Sequence, residues 1–329
     1  MSLKINNISI YFPKEQLTNQ ALSEMFNVDS EKIFKSTGIE NRFIAADDEC
    51  ASDMAFQAAE KLFKEHEIDR DSIDFMIFCS ECFDYIAPAS SCIIHNRLGL
   101  PKMSGCFDLS YGCSGYVYGL GLAYGLLKGG IAKKILFLTA DTSTKVLAKD
   151  DLKLRSIFSD IATASIIELD NNDKDQTHFI FGTDGEGALD LYIENSCFRK
   201  PVAPDYVMEN GMERGKMYMN GANVFSFAIK TVPKLVDDIL EKYQLTKNDI
   251  DLFILHQASF FMLDTIIKKI NIPSDKVFLN LKDYGNSVSS TIPLALYDAK
   301  NKGRLKRGMT VLLAGFGIGY SWGVTIVKM

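Results

Sequence analysis

Three short segments bring together a cysteine, a histidine and an asparagine in settings that suit chemistry on a thioester. They are Phe107-Asp-Leu-Ser-Tyr-Gly-Cys113-Ser-Gly, Ile254-Leu-His256-Gln-Ala-Ser and Tyr284-Gly-Asn286-Ser-Val-Ser-Ser-Thr-Ile-Pro293. Each starts from an apolar or strand-like run and presents one reactive side chain where the run ends. A cysteine thiolate holds an acyl group as a covalent thioester. Histidine and asparagine supply hydrogen bonds to the oxygen of a thioester enolate. The trio therefore points to carbon–carbon bond formation on thioesters.

Cys113 follows a strand candidate and a tight Tyr-Gly step, and a long helical pattern begins just after it. Amides and the dipole at a helix N-terminus favour an anion, which predicts thiolate character. Ser114 and Gly115 leave room for an acyl group. His256, one of four histidines, ends an apolar strand from Asp251 to Leu255, and a helix is expected from Gln257 onward. Asn286 lies in a Gly-Asn-Ser-x-Ser-Ser turn. Taken singly, a buried cysteine, a core histidine and a turn asparagine are ordinary structural residues. Their joint placement gives them weight.

The elements that must position these residues alternate strand and helix. Ser72–Cys79, Gly105–Leu109 and Lys134–Thr139 read as buried strands separated by helix-length segments, the rhythm of an α/β layered fold. Gly129-Gly130 closes the helix after Cys113, and Pro273 stops another. The chain also repeats itself. Asp69–Cys79 resembles Thr246–His256 at an offset of 177, and Tyr111-Gly-Cys113-Ser resembles Tyr284-Gly-Asn286-Ser at 173. Ile135–Ala140 resembles Val311–Gly315 at 176. Three matches in one order at nearly one offset indicate duplication. The halves are expected at residues 1–170, carrying the cysteine, and 171–329, carrying the histidine and asparagine, divided near the polar stretch 170–175. Packed about a pseudo-twofold axis, Cys113 and Asn286 would occupy equivalent turns and face a shared centre.

Composition excludes several classes. Of the 329 residues, 47% are hydrophobic and 24% charged, ordinary for a globular protein. No apolar stretch is long and unbroken enough to span a membrane. The alternating N-terminus lacks a signal-like apolar core. A net charge of −6 argues against general nucleic-acid binding. The seven cysteines, an odd number with Cys79, Cys92 and Cys106 in apolar surroundings, fit reduced thiols in a cytoplasm. Cys79-x-x-Cys82 has redox or metal spacing but no second pair, so no metal is expected. Lys302-Gly-Arg-Leu-Lys-Arg307 reads as a solvated turn. Ala314–Gly323 is a glycine-rich turn between apolar strands; no helix pattern follows, so it is not a phosphate loop, and its amides suit an oxyanion hole.

These residues resemble the β-ketoacyl-acyl carrier protein synthase III family of thiolase-like condensing enzymes, nearly end to end. The likeness extends to Ser36-Thr-Gly-Ile-Glu-Asn-Arg-Phe-Ile-Ala45, Phe158-Ser-Asp160, Asp184-Gly-Glu-Gly187 and Gly317-Ile-Gly-Tyr-Ser-Trp-Gly323. It implies a five-layered αβαβα fold, a homodimer, and no cofactor beyond the phosphopantetheine that carries substrates on coenzyme A or acyl carrier protein. By position, Cys113 would accept the primer acyl group. His256 and Asn286 would hold the carbonyl oxygen of a malonyl thioester as carbon dioxide departs. Amides of Cys113 and Ile318 would bind the tetrahedral oxyanion, with Phe316 beside the thiol.

Departures from the family pattern concern the substrate. The aromatic and arginine that clamp coenzyme A are here Lys32 and Ser36, a further arginine is Leu152, and an asparagine near the pantetheine arm is Ala222. Lys268 and Lys269 remain on the carrier-docking helix, whereas Phe261 and Ser226 replace basic residues. The phenylalanine that reaches the partner's acyl pocket is Ala87, which implies a roomier tunnel. Glu81 stands where the related hydroxymethylglutaryl-CoA synthases place a catalytic base. The rival readings are thus condensation of that type, acyl transfer without condensation, and a non-catalytic acyl-binding subunit.

Overall fold

The structure is a computed structural model, and it describes residues 1–171, 173, 176–193, 196, 197 and 215–329. The first half begins with strand β1 (Ser2–Tyr11). A hairpin of β2 (Glu15–Thr18) and β3 (Asn41–Ile44) encloses helices α1 (Asn19–Phe26) and α2 (Ser30–Thr37). Then come α3 (Ala51–Glu65), β4 (Phe75–Cys79), α4 (Ser90–Leu98), β5 (Gly105–Leu109), α5 (Gly115–Lys128), β6 (Ile135–Asp141), the single turn α6 (Leu152–Arg155) and β7 (Ile161–Asp170).

The second half carries β8 (Phe179–Thr183), a short ribbon of β9 (Leu191–Ile193) and β10 (Met217–Met219), and the long helix α7 (Gly221–Tyr243). It continues through β11 (Leu252–Leu255), α8 (Phe260–Ile270), the turn α9 (Leu281–Tyr284), α10 (Thr291–Asn301), β12 (Thr310–Gly317) and β13 (Ser321–Lys328).

Two mixed sheets result, ordered β1-β7-β6-β4-β5 and β8-β13-β12-β11. Aligned from their antiparallel ends, β8, β13, β12 and β11 repeat the order and sense of β1, β7, β6 and β4. The counterpart of β5 shrinks to a parallel bridge between Val277 and Phe253. Asn286 follows that bridge as Cys113 follows β5.

The layers follow from which faces are apolar. β4 and β6 read as continuous hydrophobic runs because both of their faces are covered. Leu62, Phe78, Leu136 and Ile94 fill the space between sheet and α3/α4. Between the sheets lie α5 and α10, where Leu120, Phe137, Ile254 and Leu313 share one cluster. On the far side, α7 and α8 bury Phe227, Val236, Leu263 and Ile266 against β12 and β13. Each such side chain contributes about 1.5–3 kcal/mol on burial. The arrangement is the αβαβα sandwich. Helix α5 is glycine-rich and a poor helix former by propensity; at Gly119 any Cβ would run into the Phe137 ring, so the glycine lets helix and sheet approach.

Some boundaries differ from expectation. The strand expected from Ser72 starts at Phe75, because Arg70–Ser72 forms a 3₁₀ turn capped by Asp69. The helix expected directly after His256 starts at Phe260, where the Ser259 side chain accepts from the Met262 amide. Cys92 is exposed and Cys106 half-buried, so neither has the fully apolar setting its neighbours suggested. Residues 172, 174 and 175 of the expected dividing stretch lie outside the described residues.

Candidate active site

Cys113, which is 143 residues from His256 and 173 from Asn286 in sequence, lines one cavity of about 200 Å³ with both of them. Phe158, Leu191, Val224, Phe227, Met262, Phe316 and Gly317 close it with apolar surface. All three polar side chains are buried, between 2% and 7% exposed.

Cys113 sits just ahead of α5, whose N-cap is Ser114. The Gly115 amide donates to the Gly112 carbonyl at 2.8 Å, and the Ser114 and Ser321 hydroxyls meet at 2.7 Å, tying the turn to β13. The thiol receives hydrogen bonds from the amides of Ile318 and of Cys113 itself, which favour its anion. Burial and the neighbouring Glu81 charge outweigh them and push the thiol well above the ordinary cysteine range. The helix start and these amides favour the anion, and burial works against them.

His256 continues from β11, its amide donating to the Ala314 carbonyl at 2.8 Å. Burial lowers its pKa to about 3, so the imidazole is neutral. Nδ1 lies 2.7 Å from the Thr291 hydroxyl, which also reaches the Val288 carbonyl at 3.1 Å. Phe316 stands edge-on to the ring at 5.7 Å between centroids. Asn286 is held on both sides, its amide donating to Ile157 and its carbonyl accepting from Ser159, each at 2.9 Å. Its Oδ1 accepts from the Val288 amide at 2.9 Å, which leaves Nδ2 as the group facing the cavity. Val288 takes a φ of +52°, strained for a β-branched residue.

Asp141, at the end of β6, fastens these loops together. Its Oδ1 accepts from the Glu81 amide at 2.7 Å and its Oδ2 from the Ser289 amide at 3.2 Å and the Ser289 hydroxyl. Beneath them the fully buried Arg42 donates to Ser156 O at 2.6 Å and Asn19 Oδ1 at 2.5 Å, and its stem packs at Gly285. Sequence reasoning missed Thr291, Asp141 and Arg42. Thr291 stood in plain view in the Ser-Ser-Thr run, but nothing local ties it to residue 256.

The family 3-oxoacyl-[acyl-carrier-protein (ACP)] synthase III matches residues 107–185, and its C-terminal counterpart matches 240–329. A β-ketoacyl-[acyl-carrier-protein] synthase III of Fusobacterium nucleatum is 34% identical over 99% of this chain and 98% of that protein. The chain belongs to the 3-oxoacyl-[acyl-carrier-protein] synthase III family. A second relative, β-ketoacyl-[acyl-carrier-protein] synthase III 2 of Halalkalibacterium halodurans, is 36% identical over 99% of this chain and 96% of its own length. A crystal structure of a 3-oxoacyl-(acyl-carrier-protein) synthase III superposes with a TM-score of 0.95 at 41% identity, covering 99% of both chains. The αβαβα architecture is thus that of the synthase III enzymes.

Other expected site residues fall at varying distances from the cavity. Phe316 lines it, and Ile318 is half-buried in the turn after β12. Ala87 is exposed ahead of α4 and is not among the lining residues. Lys268 and Lys269 occupy the last turn of α8, exposed, with Lys268 paired to Asp264 at 2.6 Å. Phe261 is exposed and stacks on Phe225, itself a lining residue, at 5.2 Å. Lys32 and Ser36 are exposed on α2, Ala222 is exposed on α7, Ser226 is half-buried there, and Leu152 packs against Leu17, Leu22 and Ile33. Cys79 donates to the Tyr111 carbonyl at 3.2 Å. Among the described residues, no group of three His, Cys, Asp or Glu is placed to hold a metal. No helix there is long and apolar enough to cross a membrane.

Proposed function

We propose that the chain condenses an acyl group held on Cys113 with a malonyl thioester carried on acyl carrier protein, releasing carbon dioxide and a 3-oxoacyl thioester. The observation that carries this is the convergence of Cys113, His256 and Asn286 on one apolar cavity. The first step is thioester exchange onto Sγ. In the second, the malonyl thioester loses carbon dioxide and its carbonyl oxygen becomes an enolate oxygen. Asn286 Nδ2 and His256 Nε2 are the donors for that oxygen, with the Thr291 hydroxyl donating to Nδ1. A neutral histidine suits this role because it needs no counter-charge in an apolar site. The enolate carbon then attacks the acyl carbonyl, and the Cys113 and Ile318 amides hold the oxyanion until Sγ leaves.

The division at residues 170 and 171 into two related halves is supported by the shared strand order. A homodimer is supported by β5, the terminal strand of its sheet, whose five residues are half-buried and whose outer edge is open among the described residues. In that assembly the exposed Ala87 loop is available to line the partner's acyl pocket, and the short side chain favours a primer longer than acetyl. Carrier docking by Lys268 and Lys269 would lie on the exposed turn of α8. Substrates reach the site on phosphopantetheine, with no resident cofactor.

Intact-mass spectrometry tests this reading. Protein mixed with acyl-CoAs and acyl-carrier proteins of several chain lengths should gain the acyl mass, and Cys113→Ala should not. Malonyl-carrier protein should then discharge the adduct with release of carbon dioxide. Acylation without discharge would favour simple acyl transfer; discharge by an acetyl donor without carbon dioxide would favour condensation with Glu81 as base. A strict acetyl preference would refute the roomy acyl pocket.

A further inference from the structure

The Glu81 side chain lies beside the nucleophile and is absorbed by none of the steps above. It follows Cys79 and Ser80 at the exit of β4, where the Ser80 amide donates to Leu109 and the Glu81 amide to Asp141. These bonds pin the loop between the ends of β5 and β6. The carboxyl is thereby pressed against Gly112, the residue before Cys113. Any side chain at 112 would collide with Glu81 Oε2 and come within 3.0 Å of the Ile318 side chain. The carboxyl and the Ile318 side chain thus both border Gly112, and Glu81 is near enough for its charge to act on the Cys113 thiol. Among the described residues its oxygens accept no hydrogen bond, in contrast to Asp141, whose two oxygens are held by Ser80, Glu81 and Ser289. A half-buried carboxylate without hydrogen-bond partners beside a nucleophile is suited to proton transfer.

The chemistry leaves one task open. Burial pushes the Cys113 thiol upward, and exchange with a thioester must move its proton to the departing sulfur. His256, neutral down to about pH 3, has Nδ1 occupied by Thr291. We propose that Glu81 relays the Cys113 proton: its carboxylate accepts the proton as Sγ attacks the thioester carbonyl and returns it to the departing thiolate. The Sγ–acyl bond forms, the incoming carbon–sulfur bond breaks, and the proton passes from Sγ through Glu81 to the released thiol. The balance needs no further reactant. This rests on the reading of Cys113 as acyl acceptor. Burial first, then Asp141, raise the Glu81 pKa to about 8, close to where a relay works best. The groups facing it are Asp141 from β6, Cys79 from β4, Cys82 on its own loop and Cys113, and all three thiols are pushed upward.

Alkylation of Cys113 by iodoacetamide, followed by peptide mass mapping between pH 6 and 10, reads the proton acceptor without knowledge of the primer. In the intact protein the rate should rise with an inflection near pH 8. Glu81→Gln should lose that inflection and react about 10²-fold more slowly at pH 8. Glu81→Asp should keep the inflection and recover part of the rate. Asp141→Asn, which removes a like charge, should move the inflection to lower pH. If Glu81 acts only through its charge, Glu81→Gln will instead make the thiol more acidic and speed alkylation. Faster alkylation, an unchanged profile in Glu81→Gln, or an unmoved inflection in Asp141→Asn overturns the relay. Absence of any pH-dependent alkylation of Cys113 while the exposed Cys50, Cys92 and Cys197 are labelled would instead bring down the nucleophile assignment itself.

Discussion

His256 has two ring nitrogens, and the fold commits one of them. A single hydroxyl proton on Thr291 is shared between Nδ1 at 2.7 Å and the Val288 carbonyl at 3.1 Å. Given to Nδ1, it leaves Nε2–H as a donor into the cavity; withheld, it reverses the tautomer. The shorter contact favours the first arrangement. Thr291→Val keeps the shape and removes the hydroxyl. We expect it to slow discharge of acyl-Cys113 by malonyl-carrier protein about tenfold, the worth of one hydrogen bond. Loading of Cys113, which does not use this donor, should be unchanged, and Thr291→Ser should restore discharge. Equal losses in both half-reactions, measured by intact mass after rapid quenching, would contradict that division.

At the scale of elements, the site depends on how closely the β12–β13 hairpin approaches the start of α5. Gly317 lies so near the nucleophile that a Cβ there would sit 2.6 Å from Cys113 Cβ and 2.8 Å from Sγ. Gly317→Ala must therefore displace the thiol. Misplacing a reacting atom by about 1 Å costs roughly 10²-fold, and we expect acyl loading to fall by that order while far-UV circular dichroism is retained. These elements were legible to different degrees. β5 was read with its observed ends, because a short apolar run between turn residues has one reading. The duplicated offsets pointed to a shared centre, and the strand orders follow the same pattern. Thr291 beside His256, the hub at Asp141 and the positive φ of Val288 were not legible, since each depends on the meeting of segments 35 to 148 residues apart or on local strain. The upward push on the Cys113 thiol is not legible for a related reason. A helix start is visible in sequence, whereas the burial that overrides it is not.

For the molecule as a whole, charge buried around the site sets how stability depends on pH. Burial raises Glu81 to about 8, Asp141 to about 7 and Asp160 to about 6, from ordinary values near 4. Between about pH 4 and 8 the folded protein retains protons that the unfolded chain has released. Stability therefore falls as pH rises through that window. His256 acts in the opposite sense: below about 6.5 the unfolded chain takes up a proton that the folded protein refuses down to about 3. One imidazole opposes three carboxyls below pH 6.5, and above it the carboxyls act alone. The exposed ion pairs, such as Lys35–Glu31 and Lys234–Asp238, contribute little in either direction. The thermal midpoint should consequently drop from pH 6 to pH 9, most steeply at the acid end of that range and levelling off above about pH 8. Glu81→Gln, which keeps the shape and removes the titration, should flatten that decline and raise the midpoint at pH 9 relative to the unaltered protein. Scanning calorimetry of both proteins across the range checks it. A midpoint that is level from pH 6 to 9 would mean that Glu81 and Asp141 ionise as freely as exposed carboxylates, and the raised acid pair beside Cys113 would lose its physical basis.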